Sequence, residues 1–357
     1  MEDIRIVLWG LGAMGSGMGR VLHSKEGVTL VGAADADPQK IGRDLGEVLG
    51  LTESLSIDVC EDGDALLTKV SGDVCLICTS SFVADVAPQI ITALQAGFNV
   101  ITIAEEMAYP AARDAQLTVE INRAAREAGK TVLGTGINPG FVLDTLIIAL
   151  SGACIEVDHI VARRVNDLSP FGPTVMRTQG VGVTPEVFAA GLADGSIVGH
   201  VGFPESMGLI ARAFGWELDR VEETREPIIA SEERMGQHIQ VQPGQVAGCN
   251  HTAVGYIGNR AVIHLEHPQQ IQPLAAGVDT GDFIEIHGTP DIRMAIQPEI
   301  PGGLGTIALA CNMVPAVLAA PAGLVTMAEL PIPRALLGDV REIAARLKDP
   351  GDWRDPS

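Results

Sequence analysis

Residues 4–15 read Ile4-Arg5-Ile6-Val7-Leu8-Trp9-Gly10-Leu11-Gly12-Ala13-Met14-Gly15, and this stretch decides the fold. Ile4, Ile6 and Leu8 alternate with Arg5, Val7 and Trp9. Both sets are mostly apolar, as in a parallel strand covered on two faces. Gly10 to Gly15 then supply G-x-G-x-x-G, and Met14, Met18, Val21 and Leu22 follow at helical spacing. Val28–Ala34 reads as a second strand, completing a βαβ unit. In such a turn the first glycine permits a tight bend, the second lets backbone approach a pyrophosphate, and the third lets the helix pack closely. The helix N-terminus offers unpaired N–H groups and a positive dipole end to the phosphates.

Asp35 stands 20 residues after Gly15, at the end of the second strand, where a carboxylate accepts ribose hydroxyls. A glycine-rich turn without ligand is the plain alternative, and Asp35 weighs against it. The expected cofactor contacts are therefore Gly10, Leu11, Gly12, Ala13, Met14, Gly15 and Asp35. The carboxylate favours NAD, because it repels a 2′-phosphate. Lys40 and Arg43 follow closely enough to neutralise one, so NAD and NADP both stay open.

Further along, Val74–Thr79 reads as a strand, Val83–Ala96 as a helix, Asn99–Ala104 as a strand, Leu117–Ala128 as a helix ended by Gly129, and Thr131–Leu133 as a strand. Alternating strands and helices imply an α/β fold with a doubly wound parallel sheet, a Rossmann domain over 1–138. Thr79 and Ser80, at a strand end, are expected near the nicotinamide ribose. The alternative is an ordinary turn with Ser81 as N-cap. Cys75 and Cys78, three apart on a strand, face opposite ways and are read as buried structural thiols rather than a redox pair.

After Asn138-Pro139-Gly140 the pattern changes. Ile160–Val165, Gly258–Glu266 and Asp282–Ile286 read as strands between turn-rich segments, giving an α+β substrate and dimerisation domain over 139–300. Residues 301–357 form a third, helical part. Pro301–Thr306 either closes over the nicotinamide or is a flexible entry to the next helix. Ile307–Val325 carries no charge, but Asn312, Pro315 and Pro321 make a lone lipid-facing helix expensive, so it is expected as a buried element at the domain interface. Asp349 to Ser357 are polar and expected to fray.

The chain has 357 residues, enough for two domains with their own cores, and it needs no disulfide scaffold. Its six scattered cysteines and a start lacking the features of a signal peptide point to a reducing, cytoplasmic setting. Twenty-four basic against 45 acidic residues give a net charge of −21. That field repels phosphate backbones and anionic lipid, which argues against nucleic-acid and membrane partners and for a small-molecule substrate.

Glu105 and Glu106 follow directly after an apolar strand at the carboxyl end of the sheet, where the nicotinamide should lie. An ammonium substrate needs a base before hydride can leave its carbon, and adjacent side chains emerge in different directions, so one of the pair can serve while the other is structural. Both could instead merely cap or form ion pairs. Arg164 and Asn166 share one face of a strand, and Asn138 lies in the loop leaving the first domain. An arginine with amide partners suits a carboxylate and a second ammonium. Arg163, on the opposite face, is the rival to Arg164.

The segments WGLGAMGSGM, DLGEVLG, AEEMAYP, GTGINPGFVLD, RRVNDLSPFGPTVMRTQGVG, GHVGFPES and LDRVEETREPI make the chain resemble the 2,4-diaminopentanoate dehydrogenases and the native amine dehydrogenases close to them. The resemblance covers nearly the whole chain. It implies a fold like that of dihydrodipicolinate reductase, a homodimer, and reversible NAD(P)-linked deamination of 2,4-diaminopentanoate at C4 to 2-amino-4-oxopentanoate and ammonia. It also implies that Glu105 is the catalytic member of the pair and that His264 lies beside the substrate's amino-acid end. His264, Glu266 and His267 make no metal motif, since His267 faces away from the other two. The rival readings are an amine dehydrogenase for simpler amines or ketones, with an apolar pocket, and a non-catalytic dinucleotide sensor, which needs no acidic pair.

Overall fold

The computed structural model describes residues 1–349 and 351. The chain divides into two compact units, residues 1–141 with 303–357, and residues 142–302. In the first unit the strands are β1 (Ile4–Trp9), β2 (Val28–Ala34), β3 (Val74–Ile77), β4 (Asn99–Thr102) and β5 (Thr131–Gly134). The second unit holds β6 (Glu156–Asp167), β7 (Arg220–Ile229), the two-residue β8 (Arg234–Met235) and β9 (Gln240–Val241), β10 (Val246–Ile257), β11 (Arg260–Gln270), β12 (Gly281–Thr289) and β13 (Ile292–Ile296). Finally, β14 (Gly323–Val325) returns to the first unit.

The first sheet has the order β14-β5-β4-β3-β1-β2, every pairing parallel. Parallel strands need crossovers, and these are α1 (Ala13–His23), the short α2 (Leu45–Leu49) and α3 (Gly63–Leu67), α4 (Val83–Gln95) and α5 (Ala115–Ala128). The strand order reverses between β1 and β3, so right-handed crossovers put α1 on one face and α4 and α5 on the other. Both faces being covered, Val74–Ile77 and Thr131–Gly134 are buried throughout. Gly129 ends α5 in the left-handed conformation, as the sequence predicts.

The third part expected over 301–357 does not stand apart, because Gly323–Val325 pairs with Thr131–Leu133 as the edge of the first sheet. The glycine-rich entry is not a flexible loop either: Gly302 opens a helix. Four helices of the second unit went unread in the sequence, α6 (Thr145–Ser151), α7 (Pro173–Thr178), α8 (Pro185–Asp194) and α9 (Phe203–Phe214). The uncharged stretch forms α10 (Gly302–Asn312) and α11 (Val314–Ala319), and α11 packs on β4 and β5. By length and composition 302–319 would cross a membrane, yet half of it is buried within the protein. A further amphipathic helix, α12 (Val340–Lys348), closes the described chain. The fraying expected of Asp349–Ser357 falls outside the described residues, save Asp349 and Gly351.

The second sheet has the order β13-β12-β6-β11-β10-β7 and is mixed, with β6 and β11 parallel and the other pairs antiparallel. Register fixes its faces. Glu266 pairs with Arg163 and Gln269 with Asn166. Arg164, Asn166, His267 and Gln269 thus share the buried face, and all four are buried.

Candidate active site

The three glycines of the first turn have separate physical roles. Gly10 has φ +98°, and a Cβ there would lie 2.6 Å from the Cys78 carbonyl oxygen. At Gly15 a Cβ would come within 1.9 Å of the Gly10 oxygen. Gly12 differs, since a Cβ there would meet nothing within 4 Å. Open space at the N-cap of α1, directly before Ala13 and Met14, is where backbone must admit a pyrophosphate. The opening therefore fits a dinucleotide.

Asp35 ties this turn to β2. Its Oδ2 accepts from Leu11 N at 2.5 Å and lies 3.3 Å from Lys40 Nζ, while Oδ1 accepts from Asp37 N at 2.8 Å. Arg43 is engaged elsewhere, with Glu47 at 2.7 Å. At the next strand end, Thr79 Oγ1 donates to Gln89 at 2.5 Å and Ser80 Oγ to Asp85 at 2.6 Å. Ser81 does not cap α4; its N-cap is Phe82, without a side-chain cap bond. Burial pushes the Cys78 thiol up to about 12, so it stays protonated, as a structural cysteine should.

The acidic pair separates into two roles. Glu106 Oε2 accepts from Val83 N, the first amide of α4, at 2.8 Å, and Oε1 lies 3.5 Å from Arg113. It is the anchor of a helix start. Glu105 is half-buried, and desolvation pushes its carboxyl above the usual range, with Glu106 adding to the rise and bonds from Ser81 and its own backbone opposing it. A carboxyl with a raised pKa is a better proton acceptor than an ordinary one. Asn138 follows β5 in the loop 135–140, where Thr306 Oγ1 receives Ile137 N at 3.2 Å.

In the second unit the expected substrate residues divide. Arg164 is buried in an ion pair between its Nη1 and Asp282 Oδ1, and its Nη2 donates to Ile300 O at 2.6 Å. The expectation of an arginine open to a substrate carboxylate is corrected, because its fork already serves Asp282 and Ile300. Arg163, its rival, pairs with Glu266 at 3.2 Å on the other face. His264 also lies on that other face, beside Val161 in register. It does not join Arg164 and Asn166, and the expected grouping is corrected accordingly.

Sequence reasoning missed His267, which does join them. Its Nδ1 donates to the Arg164 carbonyl at 2.7 Å, which leaves Nε2 as an acceptor. Burial drives its pKa down to about 3, Arg164 adding to the fall. His200 stacks edge-on against it at 4.8 Å and is held well below its usual value by burial first and by His267 next. His251 lies 2.9 Å from Glu223 through Nε2 and receives His200 N at 3.2 Å on Nδ1. Asn166 Oδ1 and Gln269 Nε2, adjacent in register, are buried without a hydrogen-bond partner. The signal available was parity: two steps from Leu265 bring His267 to the buried face. Among the described residues no cluster of metal-ligating side chains occurs.

The family model for the 2,4-diaminopentanoate dehydrogenase C-terminal domain matches residues 141–346. Over 356 residues the chain is 44% identical to a 2,4-diaminopentanoate dehydrogenase of Acetoanaerobium sticklandii, covering 96% of this chain and 98% of that one. The chain belongs to the 2,4-diaminopentanoate dehydrogenase family. The family's kinship with amine dehydrogenases is visible as well. An amine dehydrogenase of Streptomyces virginiae is 26% identical over 315 residues, covering 82% of this chain and 85% of that one. The structure of an amine dehydrogenase from Mycobacterium smegmatis superposes with a TM-score of 0.85 at 27% identity, covering 94% and 98% of the two chains. As a member of a dehydrogenase family, the chain is an oxidoreductase.

Proposed function

We propose that the protein oxidises the C4 amine of 2,4-diaminopentanoate to 2-amino-4-oxopentanoate and ammonia, reversibly, with Glu105 as general base. The observation that carries this reading is the division within the acidic pair: Glu106 is tied to Val83 and Arg113, while Glu105 is half-buried with its carboxyl pKa raised by desolvation. Bound NAD or NADP supplies the hydride acceptor. The residues around Gly12 and Asp35 hold it, with Thr79 and Ser80 at the next strand end.

An ammonium nitrogen has no lone pair to assist C–H cleavage, so Glu105 first takes one of its protons. The C–H bond then breaks with its electron pair leaving as hydride, and the nitrogen lone pair forms the C=N bond of an iminium. Glu105 passes that proton to solvent and, as a carboxylate again, takes one from the water that adds to the iminium carbon. It returns this proton to the nitrogen, and the C–N bond breaks with ammonia leaving as the new hydroxyl gives its proton to solvent and becomes the ketone. Within the second unit, Asn166 and the neutral His267 offer polar contacts to the substrate's amino-acid end. Acceptors such as Asn166 Oδ1 and His267 Nε2 suit a second ammonium, and a buried unpaired polar atom costs about 1–3 kcal/mol until a ligand meets it. A simple alkyl amine leaves that polar cluster without a role.

The same reading places the enzyme in a reducing cytoplasm as a homodimer. All six thiols stand free, and the dimer rests on resemblance to the family.

The test compares Glu105→Gln with Glu106→Gln at saturating cofactor, following reduced cofactor by absorbance with 2,4-diaminopentanoate and with alkyl amines. Glu105→Gln is expected to lose about 10²–10⁴-fold in kcat with NAD affinity intact. An active Glu105→Gln enzyme beside an inactive Glu106→Gln one reverses the assignment.

A further inference from the structure

The turn after β2 brings two carboxylates and one ammonium together at the ribose end of the cofactor site. Lys40 Nζ lies 3.3 Å from Asp35 Oδ2 and 3.4 Å from Asp37 Oδ2. Asp35 Oδ2 also receives Leu11 N, so that oxygen already meets two donors. Among the described residues Oδ1 takes only Asp37 N, and it keeps a lone pair for a ribose hydroxyl. The second nearby cation is not available for this position: Arg43 reaches Glu47 at 2.7 Å and the Gln39 carbonyl at 3.2 Å.

We propose that Lys40 is the specificity-determining residue that admits a 2′-phosphate beside Asp35. The inference rests on the dinucleotide reading of the first unit. With NAD, the ammonium stays on Asp35 and the free lone pair of Oδ1 takes the ribose hydroxyl. With NADP, the same ammonium turns to the phosphate and offsets its repulsion from the carboxylate. No backbone change is needed, because a lysine's four-carbon stem swings its charge through several ångströms and its side chain here is 24% exposed.

The experiment titrates the protein with ADP-ribose and with 2′-phospho-ADP-ribose by calorimetry, and measures kcat/KM with NAD and NADP. Lys40→Ala is expected to weaken 2′-phospho-ADP-ribose about tenfold or more and ADP-ribose by less than about threefold, with the kcat/KM ratio following. Lys40→Arg should retain most of the phosphate affinity, and Arg43→Ala should change neither ligand. Added salt should weaken the phosphate-bearing ligand more than the other. If Lys40→Ala weakens ADP-ribose equally or more, Lys40 merely braces Asp35 and the proposal is wrong. Wild-type protein that binds ADP-ribose and rejects its 2′-phosphate overturns the proposal alone, whereas protein that binds neither also overturns the dinucleotide reading.

Discussion

Among the described residues, the buried polar side chains of the first unit are threonines, Thr102, Thr131, Thr135 and Thr326, whereas the second unit buries Arg164, Asp282, Arg234, Glu205, His251, His267, Asn166, Gln179, Gln269 and Gln270 with others. The first unit keeps its charges at strand ends, where Glu105 and Asp35 stay partly exposed, and fills its interior with apolar residues. The second holds ions and imidazoles within its core. One interior is stabilised mainly by apolar burial and the other depends on polar groups staying matched, so the two should respond differently to substitution and to acid.

The largest break in that contrast is expected at Asp282. Asp282→Ala strands Arg164 without a counter-ion in a site where the two side chains are 2% and 0% exposed, and should cost about 3–5 kcal/mol by urea unfolding. Replacing both partners by apolar residues of similar size should restore most of that loss. A small effect of Asp282→Ala alone would show that the buried pair is not under electrostatic tension.

A weaker effect should follow pH. His267 has its pKa depressed to about 3 in the fold and titrates near its ordinary value when unfolded. Its contribution is complete above the unfolded pKa. As pH falls through the window below about 6.5 the unfolded chain binds a proton that the fold refuses, and stability drops by up to about 1.4 kcal/mol per pH unit towards the folded pKa. Urea midpoints from pH 7 to pH 5 should show this slope, and His267→Gln should flatten it. An unchanged slope would place the acid sensitivity elsewhere.

The smallest effect belongs to the first unit. Thr135 Oγ1 is buried without a hydrogen-bond partner, so Thr135→Val should leave stability within about 1 kcal/mol of wild type, in the stabilising direction. A thermal melt tests it. A clear loss would mean that this interior also depends on its polar groups.

The same contrast explains what was legible in the sequence. Strands of the first unit are doubly covered and read as apolar runs, and the glycine turn carries its chemistry in residue type and spacing alone, so Val28–Ala34 and Gly10–Gly15 could be placed without tertiary knowledge. Asp35 and the pair Glu105-Glu106 could be placed at strand ends, while the choice of Glu105 within the pair rests on the resemblance to the family. In the second unit the buried face is itself polar, which hides the usual alternation. Parity correctly separated His264 from His267, and the apolar Ile263 and Leu265 marked the inward parity, but a histidine on it carries no signal of its own that it meets Arg164. Arg164 looked available because its partner, Asp282, lies 118 residues away. The helices between residues 145 and 214 are short or carry a Pro in the first turn and a Gly further in, and such punctuation reads as turns.

The return of β14 to the first sheet bears on how the chain is made. Gly323 N bonds to Lys130 O at 2.9 Å, Leu324 N to Asn122 at 3.1 Å, and Lys25 Nζ to Leu336 O at 2.8 Å, all contacts between early and late sequence. Around the glycine turn the same holds, since Ile307 fills the space over Gly17 and Gly303 sits against Met14. On the ribosome, the nascent chain emerges with β5 as an open edge and with the glycine-turn helix uncovered, and it waits through all of residues 142–302 before either is closed. A polypeptide abandoned before residue 325 thus carries an exposed parallel edge that chaperones and proteases can recognise, and only a chain translated past that point has the means to complete its dinucleotide-binding sheet.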